Sequence, residues 1–189
     1  MKKLFILISK LILPVFYSRK FLKGKNFQDN VNGYLFSWRV LWDQKVKGYN
    51  RHIPFPVHPA CVVGLSKNLE FDPENIDNFW KVGSYFQCWK GRIHIGKGTW
   101  IAQNVGIITE NHSFENLDKH LPPKDVFIGN DCWIGMNSVI LPGVTLGDRT
   151  MVGAGSIVTK SFTGGGILIA GNPAKIIRRI DNEKNQTAN

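Results

Sequence analysis

IGKGTW-IAQNVG-IITENH (95–112) and IGNDCW-IGMNSV-ILPGVT-LGDRTM-VGAGSI-VTKSFT (128–163) are nine six-residue units, and their reading decides the fold. All nine begin with Ile, Leu or Val. Six place Gly or Ala second, the exceptions being Ile108, Leu141 and Thr159. Seven place a small or β-branched residue fifth: Thr99, Val105, Cys132, Ser138, Val144, Thr150 and Ser156. A sustained short period is the mark of a repeat architecture. The period is six and β-branched residues are frequent, so heptads and helical stripes do not fit. The physical solution is a triangular coil. Each hexad supplies one short strand and one corner, and three hexads close a turn. Successive turns pair as parallel strands roughly 4.8 Å apart. Like positions then stack, and the leading aliphatics form one continuous interior column.

Working outward, the repeat breaks between His112 and Ile128. Residues 113–125, SFENLDKHLPPKD, cannot continue the hexad and must loop outward, and insertions of this kind are where repeat proteins carry function. Upstream, CVVG and SYFQCW within residues 61–94 are strand-like pieces separated by polar DPENIDN. IPFPVHPA (53–60) holds three prolines and is extended or turning. FSWRVLWDQK reads as a short helix. Residues 1–60 are thus an N-terminal extension, 61–180 the coil domain with its loop 113–125, and 181–189, DNEKNQTAN, a polar tail expected to be disordered.

The whole chain of 189 residues suffices for one domain with a core, and 43% apolar content excludes a disordered chain. A net charge of +10 favours an anionic partner. The basic residues are scattered and no recognition-helix signature appears, so nucleic acid is not expected. Cys61, Cys88 and Cys132 are odd in number and lack zinc-like spacing. They read as small buried apolar residues in a reducing compartment.

Residues 1–20, MKKLFILISKLILPVFYSRK, have the basic start and apolar run of a signal peptide. Lys10, Pro14 and the lack of a small-x-small cleavage site argue against one, and the run is too short and charged to span a bilayer. Two roles stay open. One is an interfacial helix burying Leu4, Phe5, Leu7, Ile8, Leu11 and Ile12 at the headgroups, giving peripheral membrane association. The other is a helix capping the open end of the coil.

These motifs, together with the terminal stretch IAGNPAKIIRR, resemble the hexapeptide-repeat acyltransferases over about residues 60–180, most closely the branch that O-acetylates sugars and polysaccharides. The resemblance implies a mainly β fold, a left-handed parallel β-helix, here with an irregular and helical N-terminal extension and a short C-terminal helix at IIRRI. It also implies a homotrimer, acetyl-coenzyme A as donor in the groove between neighbouring coils, a sugar or polysaccharide acceptor, and no metal. His112 matches the catalytic histidine at the start of the extended loop. A neutral imidazole can take the hydroxyl proton as the oxygen attacks the thioester. Asn111, Glu115 or Asp118 is expected to orient its ring; the competing role for His112 is a polar corner residue. Asn104 matches an acceptor-contacting asparagine, or is a corner residue tolerating a left-handed backbone. Trp133 should point outward, to pack on donor or acceptor, to direct its N–H at an oxyanion, or to fill a trimer interface.

For the donor, Gly135, Gly153, Ala154 and Ser156 are small enough for a pantetheine arm to approach the backbone. Gly171, Asn172, Pro173, Ala174 and Lys175 match the terminal motif, and Lys175, Arg178 and Arg179 are placed to meet phosphates. His120 reads as a solvent-facing loop residue. Phe79, Trp80, Tyr85, Phe86 and Trp89 either stack on a sugar or cover the end of the coil. Three rivals remain open. N-acylation of an amino sugar uses similar coils. A carbonic anhydrase on the same fold needs three histidines, of which His94 and His112, eighteen residues apart, could stack. A non-catalytic scaffold needs neither. A cytoplasmic location, at the inner face of the membrane, is expected.

Overall fold

The computed structural model of the chain describes residues 1–28 and 30–180, so the expected disordered tail lies outside the described residues. The aliphatic column sets the architecture. All nine leading residues, Ile95, Ile101, Ile107, Ile128, Ile134, Ile140, Leu146, Val152 and Val158, are fully buried, and so are the seven small fifth residues. Around this column the chain winds through three faces in turn. The first coil holds β1 (Val62–Val63) on face A and β2 (Leu69–Phe71) on face B, then a 3₁₀ helix, Pro73–Trp80, on face C. The order A, B, C then repeats. It runs through β3 (Tyr85–Gln87), β4 (Ile93–Ile95) and β5 (Trp100–Ile101). It continues through β6 (Gly106–Ile108), β7 (Val126–Ile128) and β8 (Trp133–Ile134), and through β9 (Val139–Ile140), β10 (Thr145–Leu146) and β11 (Met151–Val152). The last coil has β12 (Ile157–Val158), a bridge from Phe162 to Leu146, and β13 (Ile167–Gly171), which ends in β14 (Ala174–Arg179).

Neighbouring coils pair in parallel, and like stacks on like: Trp133 on Met151, Ile134 on Val152, Val139 on Ile157. These partners are one eighteen-residue turn apart. Across the loop the offset grows to thirty-three, as in Trp100 on Trp133, yet the register is unbroken. The insertion is therefore extruded without disturbing the coil.

Corners need a left-handed residue, and the corners stack too. Between faces B and C, Gly98, Asp131, Arg149 and Gly165 all have positive φ; between C and A, Asn104, Asn137 and Gly155 do. Gly98 is constrained twice over, because a Cβ there would collide with Asp131 Oδ1 of the next coil.

Face C lacks a strand in the first coil, and two buried asparagines on the 3₁₀ helix stand in for it. Asn78 donates to the Thr99 carbonyl (2.9 Å) and accepts from Ile101 N–H (2.9 Å). Asn75 does the same with the Gly96 carbonyl and Gly98 N–H. Side-chain amides thus pair the exposed edge as a strand would.

The N-terminal residues belong to the same core. Helix α1 (Lys2–Ile12) turns Phe5, Ile6 and Ser9 inward, and Ser9 Oγ accepts from Trp38 Nε1 at 2.9 Å. Helix α2 (Asn32–Leu41) continues through one wide turn, Trp42–Val46, as the helix expected there. That turn buries Gln44, whose amide donates to the carbonyls of Asn50, Ile53 and Phe55, holding the proline-rich segment. Phe21, Phe55, Phe71, Phe79 and Phe86 pack ring against ring over the end of the coil, and Trp80 stacks on Phe36. Phe79 and Phe86 are therefore fully buried cover with no face free for a sugar, and Trp80 is partly buried beside them. The three cysteines are free and buried; desolvation pushes the Cys61 thiol up to about 12 and Cys88 to about 11, which keeps both protonated and unreactive.

One expectation is corrected. IIRRI is not a helix: residues 174–179 form β14, antiparallel to β13, with Leu168 opposite Arg178 and Ala170 opposite Lys175. β13 offers an unpaired edge at the end of face C, and the Gly171–Pro173 turn folds the following residues back onto it.

Asn78→Ala should lower unfolding free energy by about 3 kcal/mol, since it leaves a buried carbonyl and a buried N–H without partners. A urea titration with unchanged slope reads this; a loss under about 1 kcal/mol would show that the edge is not held by this amide.

Candidate active site

The loop leaves the coil after β6 on face A and returns at β7 on face B. Its base is anchored. Gln87 Oε1 accepts from the Thr109 and Glu110 amides, Thr109 Oγ1 donates to the Gln87 carbonyl at 2.6 Å, and Lys124 N–H donates to the Thr109 carbonyl. Beyond the base the chain forms a small antiparallel hairpin. Leu121 N–H donates to the Asn111 carbonyl and Ser113 N–H to that of Lys119, both at 2.8 Å. This pairing sets His112 directly opposite His120, with ring centroids 4.3 Å apart.

The His112 ring is fixed by backbone. Its Nδ1 lies 2.6 Å from the Leu117 carbonyl oxygen. A carbonyl only accepts, so Nδ1 must carry the hydrogen, and in the neutral ring Nε2 then holds the free lone pair. This corrects the expected orienting group. Asn111 takes part through its backbone carbonyl, and Glu115 and Asp118 are exposed residues whose backbone N–H groups donate to Ser113 Oγ and Asn116 Oδ1.

His120 is exposed, as its reading as a loop residue expects, but it also reaches the loop base, which the sequence reading did not anticipate. Its Nδ1 is 3.8 Å from Glu110 Oε2, and Glu110 is buried at the loop base. The same carboxylate accepts from the Lys90 amide (3.1 Å) and lies 3.6 Å from Lys90 Nζ. A buried carboxylate needs such partners. The only signal in the sequence was the eight-residue spacing of the two histidines in a loop, which becomes meaningful once a hairpin is assumed.

The other expected residues are not gathered around His112 within one chain. Trp133 points outward from face C, in register with Trp100 and Met151, and Lys25 Nζ sits 4.4 Å from the Trp100 ring centre. Face C lies across the prism from the A–B edge that carries the loop. Asn104 has φ +56° at the C–A corner, and its Oδ1 occupies the space a Gly83 Cβ would fill, which accounts for it as a corner residue. Gly135, Gly153 and Ala154 lie near the same C–A corner. Gly135 is glycine because a Cβ would press on Val152 O and Ala154 N at 2.6 Å. Ser156 is corrected: it is interior, its Oγ donating to the Gly153 carbonyl and accepting from Gly171 N–H, so it is not on a donor-binding surface. Lys175 and Arg178 are exposed on β14 next to Pro173. His94 pairs in register with Glu70 and Phe127 on face B and does not stack on His112. Among the described residues, no three metal-binding side chains converge. A cavity of about 760 Å³ lies elsewhere, at the B–C corner. Within its lining, Lys97 N–H donates to Asn130 Oδ1 and Asn130 N–H to Asp148 Oδ1.

Comparison with known proteins agrees with this geometry. The bacterial transferase hexapeptide family (six repeats) matches residues 125–160. A chloramphenicol acetyltransferase of Agrobacterium fabrum is 38% identical over 106 residues, 52% of this chain and 50% of that one. A putative acetyltransferase of Saccharomyces cerevisiae is 34% identical over 119 residues, 60% of this chain and 59% of its own. A galactoside acetyltransferase solved with coenzyme A is 30% identical, with a TM-score of 0.51 over 66% of this chain and 64% of that one. The chain thus spans half to about two thirds of the length of these relatives. Its repeat matches the bacterial transferase hexapeptide over residues 125–160, and its coil is similar in fold to the galactoside acetyltransferase, a left-handed parallel β-helix.

Glu110→Ala should loosen the hairpin while the coil stays intact. Hydrogen exchange at the Ser113 and Leu121 amides is expected to speed up roughly tenfold, with no change at β8 or β11. Unchanged loop exchange would mean that the carboxylate does not hold the hairpin.

Proposed function

We propose that this protein is an acetyl-coenzyme A-dependent O-acetyltransferase that works as a homotrimer on a hydroxyl of a sugar or cell-surface polysaccharide, with His112 as general base. One observation carries the reading: the 2.6 Å contact from Nδ1 to the Leu117 carbonyl, which leaves Nε2 as the acceptor on an exposed loop. Nε2 takes the acceptor's hydroxyl proton as its oxygen attacks the thioester carbonyl. The C–S bond then breaks, and the imidazolium returns the proton to the departing thiolate. No covalent bond to the enzyme is needed.

Two features support the trimer. Phe114 at the hairpin tip is 97% exposed, and Leu117 beside it is also bare, so the tip presents apolar surface outward. Trp100 and Trp133 form an outward column on face C of the same chain. Docking of one copy's loop beside the neighbour's face C covers both and brings a base to a groove lined by Trp133. The galactoside acetyltransferase with bound coenzyme A supports a coenzyme A thioester as donor and a sugar as acceptor. Lys175 and Arg178, projecting from the edge of that face, are placed for the donor's phosphates.

His112→Ala should lose roughly a hundredfold to ten-thousandfold in transfer rate while keeping a light-scattering mass of three 21.4 kDa chains. Near-normal turnover in the trimeric variant sinks the base assignment, and N-acetylated product from an amino sugar would move the reading to the rival reaction. Lys175→Ala is expected to weaken coenzyme A binding roughly fivefold with little change in turnover. Unchanged affinity by calorimetry removes Lys175 from the donor site.

A further inference from the structure

Helix α1 keeps one face on the protein and leaves another bare. The inward face is fixed by Phe5, Ile6, Ser9 and Leu13, with the Trp38–Ser9 hydrogen bond setting the rotation. The opposite stripe runs Leu4, Leu7, Ile8, Leu11, Ile12 and Val15, spaced for one side of a helix, and Leu4, Leu7 and Leu11 are 61%, 56% and 70% exposed. Five of the six residues expected at an interface therefore do face outward, while Phe5 faces in. Of the two roles left open by the sequence, the helix fills the capping one, and it also presents an apolar stripe outward.

Charge says what the stripe meets. Lys3 and Lys10, two turns apart, line one edge of it. At its C-terminal end lies a pocket of about 330 Å³ formed by Lys10, Pro14, Arg19, Leu22 and Tyr34. It holds two cations and no acid, and among the described residues neither Lys10 nor Arg19 has an ion-pair partner. A second copy is a poor occupant, because a symmetric contact would set Lys3 and Lys10 against their own equivalents on a chain already at +10. Among the described residues no helix is long and apolar enough to cross a membrane, so the helix would lie in the plane of one.

We infer that α1 is an in-plane anchor for an anionic phospholipid surface: Leu4, Leu7, Ile8, Leu11 and Val15 enter the acyl boundary, and Lys10 and Arg19 clasp a lipid phosphate in the adjoining pocket. The inference is independent of the proposed chemistry. It would place the enzyme's coil beside a membrane face, where lipid-linked or polymeric glycan is at hand.

The full chain should be sedimented with vesicles of phosphatidylcholine, alone or with about a third phosphatidylglycerol. Wild type is expected to pellet with the anionic vesicles and to stay largely in the supernatant with the neutral ones. Leu7→Asp with Leu11→Asp, both on the bare face, should abolish pelleting without altering the thermal melt. Lys10→Gln with Arg19→Gln should weaken anionic binding roughly thirtyfold, the equivalent of about 1 kcal/mol per cation. Three results overturn the inference: wild type that ignores anionic vesicles, a double-Asp variant that pellets as wild type does, or a double-Asp variant that changes oligomeric mass, which would make the stripe an interface between copies.

Discussion

Everything in this molecule depends on like residues stacking one eighteen-residue turn apart. The constraint is steric before it is hydrophobic. Each coil is so narrow that its leading aliphatic fills the interior and its fifth residue must be small enough to sit beside it. Ile134 over Val152 and Ser138 under Ser156 are two expressions of the one rule. The corners obey it as strictly, since the Oδ1 of Asp131 fills the place where Gly98 has no Cβ. A coil built this way tolerates substitution on its outer face and almost none inside. Its outer face is accordingly where chemistry can be placed.

A stacked coil has two raw ends, and the chain treats them differently. At the start, amide side chains of Asn75 and Asn78 imitate the missing strand, and a cluster of phenylalanines seals the column beneath α1 and α2. At the finish, the chain folds back on itself as β14 and pairs the last edge with its own backbone. β14 carries Lys175, Arg178 and Arg179 on a strand otherwise open to pairing. Charge there discourages edge-to-edge association, whatever else those side chains bind.

The coil was legible because its signal is local and periodic: nine leading aliphatics and seven fifth residues were placed inside from sequence alone, and all are inside. What escaped depends on partners distant along the chain. IIRRI looked helical because its basic residues suit a solvated helix, and only the free edge of β13 makes it a strand. His120 was read as solvent-facing and is exposed; what a linear reading could not supply is its place opposite His112 across a hairpin. Ser156 is a different failure. It was assigned to the donor for its size, although the fifth-position rule already placed it indoors. Trp133 was read as pointing outward and does; Asn104, left open between acceptor contact and corner residue, sits at a corner, and the distance of both from the loop within one chain is a property of the prism.

The loop's construction bears on the proposed chemistry. A base held by a carboxylate gains both orientation and charge stabilisation; one held by a carbonyl gains orientation and a defined tautomer, with a weaker pull on the imidazolium. Here the carbonyl belongs to Leu117 at the hairpin tip, so the hairpin must close before Nε2 is committed as the acceptor. The carboxylate is present one step away, as Glu110 beneath His120. Its buried charge ties the strand carrying His120 to Lys90 on the coil, and the His120 ring lies tilted against that of His112. The ring that would take the proton is thus positioned by the Leu117 carbonyl and by the neighbouring His120 ring, whose Nδ1 lies 3.8 Å from Glu110. Proton transfer then depends on how firmly an extruded hairpin is fastened to a rigid coil.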